Sequence, residues 1–166
     1  MAKLEFLDVT KQFRVRGKGQ FKALDGVSFT LESGRTVALV GQSGSGKSTI
    51  AKIIMGMEKP TTGELRLDGA MVPRRGRALK QYRQQVRMVF QDPFASLNPY
   101  RTVRQHLERP LVLSGRPSGR DAVLGLLDRV SLEPEQMIDR LPHELSGGQR
   151  QRIAIARALA TRPSLL

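Results

Sequence analysis

Eight consecutive residues, Gly41-Gln42-Ser43-Gly44-Ser45-Gly46-Lys47-Ser48, have the types and spacing needed to hold a chain of phosphates. Glycines let the backbone turn so that successive N–H groups converge on one anion. The residues from Lys47 read as a helix, and the partial positive charge of its N-terminus faces the same point. At this spacing Lys47 can reach β- and γ-phosphates, and the Ser48 hydroxyl can ligate Mg²⁺. Residues 36–40 before the loop form a short, continuous apolar run, expected as a strand buried on both faces. Strand, loop and helix in that order separate a phosphate site from an ordinary glycine-rich turn. A second stretch, Leu145-Ser146-Gly147-Gly148-Gln149, places a serine and two glycines at the start of a long helix. Hydroxyl, N–H groups and dipole again face one point. Alone it reads equally well as a helix cap with a flexible lead-in. Two anion-ready helix starts in one chain weaken that reading.

The positioning elements follow from hydrophobic periodicity. Leu4, Phe6 and Val9 against Glu5 and Asp8 predict a half-buried strand, and Val27, Phe29 and Leu31 predict another. Residues 14–22 form a basic, glycine-containing loop between them, the expected tip of a hairpin. Helix is expected from Lys47 to about Met55, broken by Lys59-Pro60-Thr61-Thr62-Gly63. Residues 64–67 read as a short strand with a turn at Asp68-Gly69. Six basic residues and no acidic one lie between Arg74 and Arg87, which predicts a solvated helix face and loop. Residues 86–90 read as a further short apolar strand ending at Gln91. Helical periodicity then dominates at 103–113, at 122–130 with Ala122, Val123, Leu126, Leu127 and Val130 on one face, at 133–139 and at 146–160. In the last of these, Ile153, Ala154, Ala158 and Leu159 form the expected core side, and residues 164–166 begin to read as a buried strand.

Length and composition narrow the chemistry. At 166 residues the chain is one domain or part of a larger one. It has no cysteine, which excludes a disulfide scaffold, a thiolate metal site and a cysteine nucleophile. Two histidines offer no obvious zinc cluster. Aromatics are 5% with no tryptophan, which argues against a stacking platform for single strands. The net charge of +13 fits an anionic partner, whether nucleic acid, nucleotide or acidic membrane surface, and does not choose among them. No signal peptide and no membrane span are legible, so the chain is expected to be soluble and cytoplasmic, with any membrane role exercised through a partner.

At this point the sequence resembles the ATP-binding subunit of ABC transporters. Leu145 to Gln149, followed by Arg150-Gln151-Arg152, is similar to that family's signature motif. Gly41 to Ser48 is similar to its Walker A loop, and Gln91 to its Q-loop glutamine. The three occur in family order over nearly the whole chain. Phe90-Gln91-Asp92-Pro93-Phe94-Ala95-Ser96-Leu97-Asn98-Pro99 and Pro142-His143-Glu144-Leu145 look like the oligopeptide, dipeptide and nickel importer group. The resemblance implies an α/β P-loop NTPase of ABC type: an antiparallel β subdomain plus a RecA-like core, with an inserted helical subdomain. It divides the chain into about 1–91 (β subdomain and P-loop core), about 92–145 (helical subdomain) and 146–166 (signature helix and the start of the Walker B strand).

The resemblance also implies roles. Gly41, Gln42, Ser43, Gly44, Ser45, Gly46, Lys47, Ser48 and Thr49 would cradle the phosphates of ATP. Ser48 and Gln91 would hold Mg²⁺. Lys47 and Gln91 would act in hydrolysis, Gln91 by sensing the γ-phosphate and placing the attacking water. Phe13 matches the aromatic that stacks on adenine, with Phe21 a competing choice on the same loop. Ser146, Gly147, Gly148 and Gln149 would contact ATP held by a second ATPase subunit, identical or paralogous, in a head-to-tail dimer. Residues 92–130 would dock on transmembrane permease subunits, with 93–100 receiving a coupling helix, and the protein would lie peripherally on the cytoplasmic face of the membrane. His106 and His143 carry no role in this scheme.

The family's acidic pair, an Asp orienting Mg²⁺ and a Glu serving as general base, follows an apolar strand. Arg162-Pro163-Ser164-Leu165-Leu166 resembles the lead-in to that strand, and no acidic pair follows it. Asp68 sits at a turn and Asp92 lies one residue beyond Gln91, so neither substitutes. The expectation is a fragment of a longer gene product, unstable and without ATPase activity in isolation. Two other readings stand beside transport: a soluble ABC ATPase acting on nucleic acid or ribosomes, disfavoured because the basic residues are spread along the chain, and a non-hydrolysing remnant. The transported solute is not legible.

Overall fold

The structure, a computed structural model, describes residues 3–15, 17, 19–92 and 96–166. It divides into two compact units, Met1–Val86 and Arg87–Leu166.

The first unit is built on a four-stranded sheet of order β2-β1-β3-β4. Its strands are β1 (Leu4–Val15), β2 (Gly19–Leu31), β3 (Thr62–Leu67) and β4 (Ala70–Met71), every neighbouring pair antiparallel. The alternation that predicts β1 carries a defect, and the structure accounts for it. Leu4, Phe6 and Val9 are buried. Asp8 lies at φ +47 and the β1–β2 register shifts between Phe6 and Val9, so the inward position passes from residue 8 to residue 9. Phe6 stacks on its cross-strand partner Phe29 with ring centroids 4.9 Å apart. Helix α1 (Lys47–Ile54) buries Ile50 and Ile53.

Helix α2 (Gly76–Gln85) closes the far end of α1. The buried Tyr82 donates its hydroxyl to the Ile54 carbonyl, and burial pushes its phenol well above the usual range, so the donor proton stays. Arg83 donates to the Gly56 carbonyl at 2.7 Å and the Met55 carbonyl at 3.3 Å, placing a cation where α1 ends in bare carbonyls. The basic run is otherwise a solvated face, as expected: Arg74, Arg75, Arg77 and Lys80 are exposed.

Two expected strands do not form. Residues 36–40 join no sheet, and Val37, Leu39 and Val40 are 50%, 44% and 92% exposed. A strand exists through its ladder partners, and among the described residues no strand lies alongside this run. The run at 86–90 fares similarly, with a single bridge at Val86. Leu165 is half-buried, its carbonyl accepting from the Arg87 N–H at 2.9 Å, while Leu166 is 57% exposed rather than buried.

The second unit is helical: α3 (Val103–Leu113), α4 (Arg120–Asp128), α5 (Pro134–Met137), a 3₁₀ turn (Pro142–Glu144) and α6 (Gly147–Leu159). Leu107, Val123, Leu127, Ile138 and Ile153 are fully buried in one cluster. The face expected on α4 is the face used, with Ala122 and Val130 packed at its margin. On α6 the core side includes Ala156, whereas Leu159 is only half-buried.

His106 is buried on α3, its ring Nε2 3.0 Å from the Asn98 carbonyl, which ties the loop before the helix to the helix itself. Burial lowers its pKa, and the nearby Arg157 and Arg101 guanidiniums add to the effect. The folded unit therefore binds this proton less readily than the unfolded chain. The stability it contributes is present above the ordinary imidazole range and is lost as pH falls through it. Urea midpoints of the full-length protein, followed by circular dichroism at pH 7.5 and 5.5, should fall on the acid side. His106→Gln should flatten that slope.

Candidate functional site

The glycine-rich loop takes the shape that its sequence requires. Gly44 and Gly46 have φ of +84 and +90, and Gly46 is the N-cap of α1. A Cβ at Gly46 would come within 2.6 Å of Leu24 Cδ2 and 2.7 Å of the Ala23 carbonyl oxygen, so only glycine lets β2 and the loop approach this closely. Lys47 turns its ammonium back into the loop. It donates to the carbonyls of Gly41 and Gln42, each at 2.6 Å, and to Ser45 Oγ at 3.2 Å. Neutral oxygens satisfy this cation, and no carboxylate pairs with it among the described residues. A phosphate oxygen brings the negative charge these acceptors lack.

Over the loop opens a cleft of about 560 Å³, lined by Phe13, Phe21, Ala23, Ser43, Gly44, Gly46, Lys47, Ser48 and Thr49. Phe13 and Phe21 are direct cross-strand partners near the end of the β1–β2 hairpin. The hairpin thus delivers both aromatics to the same cleft as the phosphate-type loop. Gly41, Gln42 and Ser45 do not line it and instead hold Lys47. Sequence reasoning passes over Lys11, whose ammonium lies 4.7 Å from the Phe13 ring centroid. Its signal is the two-residue spacing from Phe13 along one strand.

The cleft fits a nucleoside triphosphate: an aromatic wall for a base, N–H groups and an ammonium for phosphates, and a serine hydroxyl for a metal carried by them. Among the described residues no group of three or more His, Cys, Asp or Glu could bind a metal on its own. Mg²⁺ would arrive coordinated to the phosphates, with Ser48 as a protein ligand.

In the second unit Gln91 is exposed, and Tyr100 is 90% exposed. Of the surface expected to receive a coupling helix, Pro93, Phe94 and Ala95 lie outside the described residues. Ser146 is the N-cap of α6 and forms a reciprocal box with Gln149. The Gln149 N–H donates to Ser146 Oγ at 3.2 Å, and the Ser146 N–H donates to Gln149 Oε1 at 2.8 Å. Arg150 donates to the Leu145 carbonyl at 2.6 Å and Arg152 to the Ser131 carbonyl at 2.7 Å, fixing the approach to the helix. Nothing lies within 4 Å of a Cβ built at Gly147 or Gly148. The glycines there are not demanded by packing inside the unit.

The sequence profile of the ABC transporter family matches residues 24–166. The dipeptide transport ATP-binding protein DppF of Escherichia coli is 44% identical over 173 residues, covering 98% of this chain and 51% of that protein. The nickel import ATP-binding protein NikE of the same organism is 44% identical over 155 residues, covering 90% of this chain and 58% of that protein. The chain thus spans about half the length of these relatives. Among solved structures, the dimeric bacterial ABC transporter cassette MJ0796 superposes with a TM-score of 0.83 at 35% identity, covering 96% of this chain and 70% of that one. A second structure of MJ0796, in a post-hydrolysis state bound to ADP and Pi, superposes with a TM-score of 0.82. No described helix is long and apolar enough to cross a membrane.

Proposed function

The chain belongs to the ABC transporter family of ATP-binding domains, and on that premise we propose that its full-length protein is the ATP-binding subunit of an importer that hydrolyses MgATP to drive uptake of a peptide or of nickel. The observation that carries this reading is the single cleft shared by Phe13 and the Gly41–Ser48 loop. In it Phe13 stacks on the base, residues 41–49 bind the phosphates, Lys47 neutralises the β- and γ-oxygens and Ser48 ligates Mg²⁺. Gln91 would serve as a further Mg²⁺ ligand and would orient the attacking water, as the family resemblance implies. Ser146, Gly147, Gly148 and Gln149 reach the ATP of a second subunit. Residues 1–91 then serve as β subdomain and P-loop core, 92–145 as helical subdomain and 146–166 as signature helix leading into the strand that bears the general base. Permease subunits receive the helical subdomain on the cytoplasmic face of the membrane.

The test is hydrolysis by the full-length protein, purified with its membrane subunits and reconstituted in vesicles. Mg²⁺-dependent turnover that accelerates with solute supports the reading. Purification without membrane subunits, together with steeply salt-dependent RNA binding, would instead support a soluble ATPase acting on nucleic acid. The exposed Arg74, Arg75, Arg77 and Lys80, in no ion pair among the described residues, are the observation in favour of that alternative.

A further inference from the structure

Lys11 is more tightly built in than a strand-surface lysine needs to be. Its ammonium pairs with the Glu58 carboxylate at 2.9 Å and donates to the Lys59 carbonyl at 2.8 Å, and its side chain is only 13% exposed. The β1–β2 register shifts on both sides of it, between Val9 and Lys11 and between Lys11 and Gln12. Such irregularities re-aim a side chain. The 58–61 segment is stitched to β1 around it: the Thr61 N–H donates to the Thr10 carbonyl at 2.8 Å, and the Gln12 N–H donates to Thr61 Oγ1 at 2.9 Å. All of this holds one positive charge 4.7 Å from the centroid of the Phe13 ring.

A benzene ring is electron-rich on both faces, and a second π-system meeting one of them is repelled by the like quadrupole. A cation over one face is attracted to that density and draws it away from the other. Phe13 lines the cleft and Lys11 does not, although the ammonium lies over its ring.

We propose that Lys11 is a positioning and specificity residue of the nucleotide site: it locks the Phe13 ring in place and polarises it, so that the surface facing the cleft favours an electron-rich purine over a pyrimidine. The proposal rests on the reading of Phe13 as the base platform. It adds the reason that a phenylalanine on this hairpin can discriminate among bases. Glu58 and the Lys59 carbonyl hold the ammonium over the ring and limit its reach toward the phosphates, where Lys47 acts.

The experiment is calorimetric titration of the full-length protein with MgATP, MgCTP and magnesium tripolyphosphate, the last being a probe with no base. Lys11→Met keeps the stem and removes the charge. It should weaken MgATP binding about threefold, because the cation–π contact exists before and after binding and only its polarising effect on the stacked base is lost. It should also narrow the preference for ATP over CTP and leave tripolyphosphate binding unchanged, and Lys11→Arg should restore both ATP affinity and preference. Unchanged ATP binding, or an equal loss for tripolyphosphate, overturns the proposal. Phe13→Ala keeps the two readings apart. If it narrows the ATP preference while Lys11→Met does not, the platform stands and the role of Lys11 falls. If it leaves the preference intact, the platform reading falls first. Should Lys11→Met fail to fold, Lys11→Gln removes the charge while keeping an N–H for the Lys59 carbonyl, and an ATP-specific loss there supports the proposal while no loss overturns it.

Discussion

Replacing Lys47 by alanine is expected to weaken MgATP binding to the full-length protein by about a hundredfold or more. Among the described residues the ammonium is the one cation lining the cleft; its bonds to carbonyls already have an ionised donor, and phosphate oxygens add the attraction of an opposite charge. The carbonyls of Gly41 and Gln42 hold the ammonium at the mouth of the loop. The alanine variant loses both the charge offered to phosphate and the brace that shapes the loop. Lys47→Arg should recover little, because a planar guanidinium cannot fit between two carbonyls placed for a compact ammonium. Equilibrium titration with a fluorescent ATP analogue measures the effect. Affinity within threefold of the parent would remove Lys47 from the site.

Gly63→Ala should destabilise the full-length protein strongly. Gly63 sits at φ +82 in β3, and a Cβ there would lie 2.2 Å from the Asp8 carbonyl oxygen and 2.6 Å from that of Leu7. Both obstacles are backbone, so nothing short of parting β1 from β3 relieves the overlap. A cost of about 3 kcal/mol or more follows, at the upper end of single-residue effects. Gly69→Ala is the control: φ is +77, but nothing lies within 4 Å of the added carbon. It should cost only the left-handed backbone penalty of about 1–2 kcal/mol. Urea unfolding of the full-length protein should separate the two variants clearly. Equal midpoints would mean that β1 and β3 are not packed as described.

The helical unit is largely legible in the sequence because its signals are local. The 3.6-residue period, Thr102 capping α3 and Ser146 capping α6 all act within one or two turns. The loop at 41–48 is legible for a related reason, since glycine, lysine and serine at fixed offsets are a local chemical constraint. The strands at 36–40 and 86–90 are misjudged because an apolar run records a wish to be buried, whereas a ladder needs neighbours from elsewhere in the chain. Phe13 and Phe21 could not be separated from sequence, and the register explains why: they face each other across the hairpin and line the same cleft. Lys11 goes unnoticed because its two-residue spacing from Phe13 does not by itself distinguish a cation over a ring from one in water. Only the coordinates of Glu58, Lys59 and Phe13 together make the difference visible.

The bonds from Tyr82 and Arg83 to the last carbonyls of α1 carry a mechanical corollary. A helix of eight residues spans about 12 Å, and here it is gripped at both ends. The glycine-rich loop holds the first end, and the α2 side chains hold the carbonyls of Ile54, Met55 and Gly56 at the other. A rod clamped this way has no slack. Any thrust applied where phosphates meet the loop travels along α1 as along a strut and emerges as movement of α2, instead of being absorbed by a fraying helix end.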